Sequence, residues 1–269
     1  MCRTMLRVAC ITALGLCGWL NMAAAQSDPW PELAEALFKG RALADGTDLV
    51  SIEMPGRAED AAIVPVTVRA TLPPGDARRV KVFTIVIDEN PAPLAATFTI
   101  GPNAVVSSVS TRVRVNSYTN VHAVAELSDG KLYAVKTYVK ASGGCSAPTA
   151  KNSDQAGLGQ LRFRQFARTA DARAGNMRDA QIMIRHPNNS GLQMDQVSRL
   201  YIPAHFVEDV KVWRGNELVL SMEGSIGISE DPNIRFTYAP NNATTFRVEA
   251  TDTKNHVFMG EWPVEASGM

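Results

Sequence analysis

Near the start of the chain, Trp30, Leu33, Ala34, Leu37 and Phe38 recur at helical spacing and put one apolar stripe on a short helix. Asp28-Pro29 opens it, an oxygen-bearing cap followed by proline at the first helical position, and Gly40 stops it. The stripe is expected to pack as a lid on whatever follows. From Asp48 to Lys140 the pattern changes to period two. Seven β-rich runs follow one another: Leu49–Met54, Ile63–Ala70, Val80–Asp88, Ala95–Ile100, Ser107–Val115, Thr119–Leu127 and Leu132–Val139. Pro73-Pro74-Gly75, Asn90-Pro91-Ala92-Pro93, Gly101-Pro102-Asn103 and Asp129-Gly130 punctuate them, the last being a tight hairpin turn.

After a stretch rich in Ser, Pro, Ala, Gly and Asn, a second β-rich region holds about six runs: Gln181–Arg185, Phe206–Trp213, Glu217–Met222, Ile234–Tyr238, Thr245–Asp252 and His256–Trp262. The pattern predicts an all-β protein, two immunoglobulin-like β-sandwich domains preceded by a short N-terminal helix. The expected divisions are 1–25, 26–145, 146–178 as linker, and 179–269. No residue-level repeat relates the two halves.

Met1 to Ala25 reads as a signal peptide, with Arg3 and Arg7, an apolar run from Val8 to Leu20, and Ala23-Ala24-Ala25 as the cleavage site. The mature chain is then expected to begin at Gln26 in an exported, oxidising compartment. A lipid-anchor site at Cys17 is disfavoured by the bulky Leu16 before it. No later stretch is long and apolar enough for a membrane span. The 27 basic and 27 acidic residues balance, so no global field recruits nucleic acid or an anionic membrane.

Of the four cysteines, Cys2, Cys10 and Cys17 fall inside the expected signal, which leaves Cys145 as an unpaired thiol. It sits in Lys140-Ala141-Ser142-Gly143-Gly144-Cys145-Ser146-Ala147-Pro148. One reading is a buried cysteine acting as a small hydrophobe. The other takes Gly143 and Gly144 as a flexible arm that exposes the thiol. No histidine, asparagine or aspartate stands near it in sequence, so it resembles a handle that other proteins load and unload more than a catalytic nucleophile. No catalytic residue is assigned.

His122, His186, His205 and His256 show no ligand spacing and read as structural. A metal-delivery role through Cys145 with His186 or Met194 therefore lacks a spaced ligand set, and no metal site is assigned. Arg162, Arg164, Arg168, Arg173 and Arg178 read as a solvated strand edge or helix face, or else as a docking surface for an acidic partner or a counter-charge for an anion on the arm. Asn188-Asn189-Ser190 and Asn242-Ala243-Thr244 fit a glycosylation sequon that is too short to carry weight.

These residues resemble the sulfur carrier SoxYZ in fused form. The first half is similar to SoxY through Met54-Pro55-Gly56-Arg57-Ala58-Glu59-Asp60-Ala61-Ala62-Ile63-Val64-Pro65-Val66 and through its Gly-Gly-Cys end. The second is similar to SoxZ through Arg185-His186-Pro187, Gly191-Leu192, Ile202-Pro203-Ala204-His205-Phe206 and Ser229-Glu230-Asp231-Pro232-Asn233 before Phe236. The resemblance implies a periplasmic carrier, not an enzyme, that holds sulfur intermediates covalently on Cys145 and has no resident cofactor. The implied partners are periplasmic sulfur-oxidising enzymes. The fused form also resembles carriers associated with quinoprotein dehydrogenases, which leaves a non-covalent docking module for such a system as the alternative.

Overall fold

The structure, a computed structural model, describes residues 28–148, 157–166 and 176–265. The expected signal peptide with Cys2, Cys10 and Cys17, and Arg168 and Arg173, lie outside the described residues.

Among the described residues, one helix, α1 (Trp30–Phe38), precedes fifteen strands. The first eight are β1 (Leu43–Asp45), β2 (Val50–Glu53), β3 (Val64–Ala70), β4 (Val80–Ile87), β5 (Leu94–Ile100), β6 (Ser108–Val113), β7 (Thr119–Leu127) and β8 (Leu132–Val139). The other seven are β9 (Leu161–Phe166), β10 (Arg178–Ile184), β11 (Val207–Arg214), β12 (Glu217–Gly224), β13 (Asn233–Tyr238), β14 (Thr245–Asp252) and β15 (Val257–Pro263). The immunoglobulin-like, nearly all-β architecture expected from the alternation is present.

The two halves share their sheets. A nine-stranded sheet runs β1-β8-β7-β4-β5-β12-β11-β14-β15, and a six-stranded sheet runs β2-β3-β6-β13-β10-β9. Both cross from first half to second through antiparallel pairs: β5 with β12, Ile100 opposite Leu220, and β6 with β13, Val109 opposite Phe236. Inward residues from both halves form one continuous apolar cluster, from Val64, Phe83 and Phe98 to Leu220, Phe236 and Phe246. Close backbone approach at this seam needs Gly101, where a β-carbon would run into the Leu218 carbonyl. Thr237 Oγ1 accepts the Ser108 N–H at 2.9 Å across the same seam.

On the outside of the nine-stranded sheet, α1 acts as the expected lid. Phe38 packs with Val124 and Leu132, and Trp30 stacks on the His122 ring, centroids 3.6 Å apart. This explains why β7 is buried on both faces. Val121, Ala123 and Ala125 face the shared core, while His122 and Val124 face the helix. His122 is structural, as expected, with Nε2 3.1 Å from the buried carboxylate of Asp88.

Two strands have no counterpart in the sequence reading. β1 is three residues long, too short for a period-two signal, and pairs in parallel with β8. β9 forms inside the 146–178 stretch expected as linker. Leu161 and Phe163 alternate with Arg162 and Arg164, and Phe163 packs on Phe246 and Trp262 while the arginines face solvent. Those two arginines line a strand edge, the first of the readings offered for them.

Candidate functional site

Beyond β8 the chain runs back along the segment before β3. Lys140 donates its N–H to the Gly56 carbonyl at 3.0 Å and accepts from Ala58 N–H at 3.0 Å. It then reaches the residues following β6. Gly143 N–H donates to Asn116 O at 2.8 Å and Gly144 N–H to Val115 O at 3.0 Å. A turn follows, with Ser146 and Ala147 N–H both directed at the Gly143 carbonyl.

Cys145 is free and fully buried, 0% exposed. The expectation of a solvent-exposed thiol on an open arm is therefore corrected. The two glycines serve a packed arrangement: Gly143 adopts φ +76°, and a β-carbon on Gly144 would collide with the carbonyls of Ala61 and Val115. Their freedom goes into a left-handed turn and a close approach.

The second half closes over this segment. Ser190 Oγ donates to the Cys145 carbonyl, and the Ser190 N–H is held at 2.8 Å by Gln193 Oε1. Arg114, 1% exposed, sits between the halves: Nη1 donates to Gly144 O at 3.1 Å and Nη2 to Asn188 O at 3.3 Å. Asn90 fixes this stretch, its Nδ2 donating to Arg114 O at 2.7 Å and its Oδ1 accepting Asn116 N–H at 2.8 Å. Burial pushes the Cys145 thiol up, and the Arg114 charge offsets only part of that. As packed, the sulfur is held as the unreactive thiol.

Three of the four histidines converge where the sequence showed no spacing. Asp252 Oδ2 lies 3.4 Å from His186 Nε2, 2.7 Å from His205 Nε2 and 2.8 Å from His256 Nδ1, and Oδ1 accepts the N–H groups of Lys254 and His256. Burial alone would raise the Asp252 carboxyl, but hydrogen bonds from His205 and His256 outweigh it and hold the group below the usual carboxylate range. His186 is pushed down to about 4, first by burial and then by neighbouring His205.

His186, His205 and Asp252 are close enough to suggest a metal seat. The donor pattern argues otherwise. His186 Nδ1 accepts the Asn188 N–H at 3.0 Å, which places the ring proton on Nε2, the nitrogen facing Asp252, where a metal would need a lone pair. The trio is a hydrogen-bonded post. It fixes Asn188, whose carbonyl holds Arg114. With both His186 nitrogens engaged and Met194 on a partly exposed loop, His186 has no lone pair to share with Cys145.

Arg114, Ser190, Gln193 and Asn188 were missed as site residues because their relation to Cys145 is tertiary. The only sequence signal was indirect, since Asn188 and Ser190 follow the Arg-His-Pro stretch.

Residues 34–145 match the family model of the sulfur oxidation protein SoxY, and residues 167–263 that of the sulphur oxidation protein SoxZ. The chain is a SoxY domain and a SoxZ domain in tandem. The SoxY match ends at Cys145, so the thiol is its last residue, and β9 falls between the two matches. No curated protein matches the chain. Among solved structures, the sulfur carrier protein SoxY from Chlorobium limicola f thiosulfatophilum is 27% identical, covering 42% of this chain and 91% of its own, with a TM-score of 0.36. A superoxide reductase (neelaredoxin) from Ignicoccus hospitalis is 14% identical over 34% of this chain and 79% of its own, with a TM-score of 0.31. In the SoxYZ tandem, the Cys145 segment ends the SoxY half and is bonded by Ser190 of the SoxZ half, which Gln193 orients, while Asn188 holds Arg114 beside it.

Proposed function

We propose that this SoxYZ tandem is an exported covalent carrier that holds sulfur intermediates on the Cys145 thiol while partner sulfur-oxidising enzymes act on them, with no turnover of its own. The observation that carries this reading is the position of Cys145: an unpaired thiol, the last residue of the SoxY match, at the boundary between the two halves. It belongs to no strand. The segment is held by the Gly143 and Gly144 N–H bonds and by the Arg114 and Ser190 side chains. At about 1 kcal/mol net for a typical hydrogen bond, the segment can leave the seam without unfolding either sheet.

Burial of the thiol fits the role. In an oxidising compartment an exposed thiol forms stray disulfides or climbs the oxidation ladder, and packing between the halves shields it until the segment is drawn out. Export itself rests on the Met1–Ala25 segment. The test is intact mass of the protein from its native host, beside a Cys145→Ser variant. Sulfur or sulfonate additions on Cys145 and a mature start at Gln26 are expected. Only unmodified thiol across growth conditions would overturn the reading.

A further inference from the structure

The carrier reading leaves Arg114 unexplained. Its side chain is buried, yet among the described residues no carboxylate stands within ion-pair distance of it. Its bonded partners are the neutral carbonyls of Gly144 and Asn188, and its Nε has no acceptor. Glu230 and Asp60 lie near enough to favour the charge, but burial still pushes the guanidinium down. Gln193, also fully buried, holds the Ser190 N–H through Oε1 and leaves Nε2 without an acceptor. A buried cation bonded to the carbonyl of Gly144, next to Cys145, has one idle donor of its own, and Gln193, which orients Ser190, carries another. A buried charge with no bonded counter-ion costs several kcal/mol, and an anion brought to its donors would offset that cost.

We propose that Arg114 is a positioning residue for charged cargo: it holds a sulfur oxyanion joined to the Cys145 sulfur, so that the seam retains a loaded, anionic segment more firmly than a neutral one. The proposal rests on the carrier reading for its biological sense and deepens it by assigning the group that recognises the cargo's charge. A planar, permanently charged fork suits a sulfonate-type oxygen cluster as it suits carboxylate or phosphate. Asn188, braced by the His186–Asp252 post, accepts from one side of the fork, and Gly144, next to Cys145, accepts from the other.

The test loads Cys145 chemically, so it stands apart from whether the native protein carries sulfur. In mild urea, the Cys145 thiolate attacks an inner sulfur of tetrathionate. The central sulfur–sulfur bond breaks, thiosulfate leaves with the electron pair, and the cysteine keeps a thiosulfonate group bearing one negative charge. In parallel, methyl methanethiosulfonate transfers its neutral methylthio group as methanesulfinate leaves.

After refolding, both adducts are removed with the same uncharged phosphine, and each rate is divided by that of the same adduct on the unfolded chain. The anionic adduct is expected to be protected about tenfold more than the methylthio adduct, a difference the size of one well-placed ionic contact. In Arg114→Gln the gap closes. Equal protection of the two adducts in the wild type, or a gap that persists in Arg114→Gln, would overturn the proposal. Should Arg114→Gln fail to fold, the wild-type pair decides alone. Absence of native adducts on Cys145 would sink the carrier reading and leave this result standing as a property of the seam.

Discussion

A single missing β-carbon decides where the thiol goes. Gly144 lies so close to the Ala61 and Val115 carbonyls that Gly144→Ala has no room, and the Cys145 segment is expected to leave the seam. Alkylation of Cys145 under native conditions should then be at least about tenfold faster than in the wild type, measured by mass after a timed pulse. Ser190→Ala acts more gently. It removes one hydrogen bond to the segment, and the expected effect is a loss of about 1 kcal/mol in urea unfolding with a modest rise in alkylation rate. The glycines were visible in the sequence, but their use was not. A Gly-Gly pair permits an open hinge or a close approach, and only the carbonyls of Ala61 and Val115, distant along the chain, select the second. The same limit hid the histidine post, since His186 and His205 stand 66 and 47 residues from Asp252.

Among the elements, those with strong period-two or helical signals were legible from residues alone. β3, with Val64, Val66 and Val68 inward, and α1, with its stripe ending at Phe38, are examples. β1 escaped because three residues carry no period, and β9 because its arginines masked an alternation of only two apolar inward positions, Leu161 and Phe163. The helix does more than cover. Its Trp30 ring and Phe38 close the outer face of β7 and β8, so Phe38→Ala is expected to destabilise the chain by about 3 kcal/mol in urea unfolding. Thiol protection should be unchanged, because α1 lies on the outer face of β7 and β8 and holds none of the seam contacts.

Across the whole molecule, the seam was not legible because β5–β12 and β6–β13 pairing depends on which edges meet. Nothing in either run announces its partner. Because both sheets and the apolar cluster run through both halves, unfolding is expected to follow one transition, with tryptophan fluorescence and far-UV circular dichroism coinciding. Stability should also fall in mild acid. Unfolded, His186 takes its proton near 6.5; folded, only at about 4, so between those values the unfolded chain binds more protons. The His186 contribution is intact above about pH 6.5 and is lost as pH falls towards 4, by about 3 kcal/mol at most. Asp252, held below its usual range, adds a loss of the same sign at still lower pH. Urea midpoints at pH 7 and pH 4.5 should therefore converge in His186→Asn relative to the wild type.

The strand pairs that join the halves have a further consequence. When two separate polypeptides make such a seam, its occupancy follows their concentrations, and dilution empties it. On one chain the partners are tethered, and the seam closes as a unimolecular event at a fixed effective concentration. The second-half contacts at Cys145, Ser190 on its carbonyl and Asn188 on Arg114, therefore stay available to the segment however dilute the protein becomes.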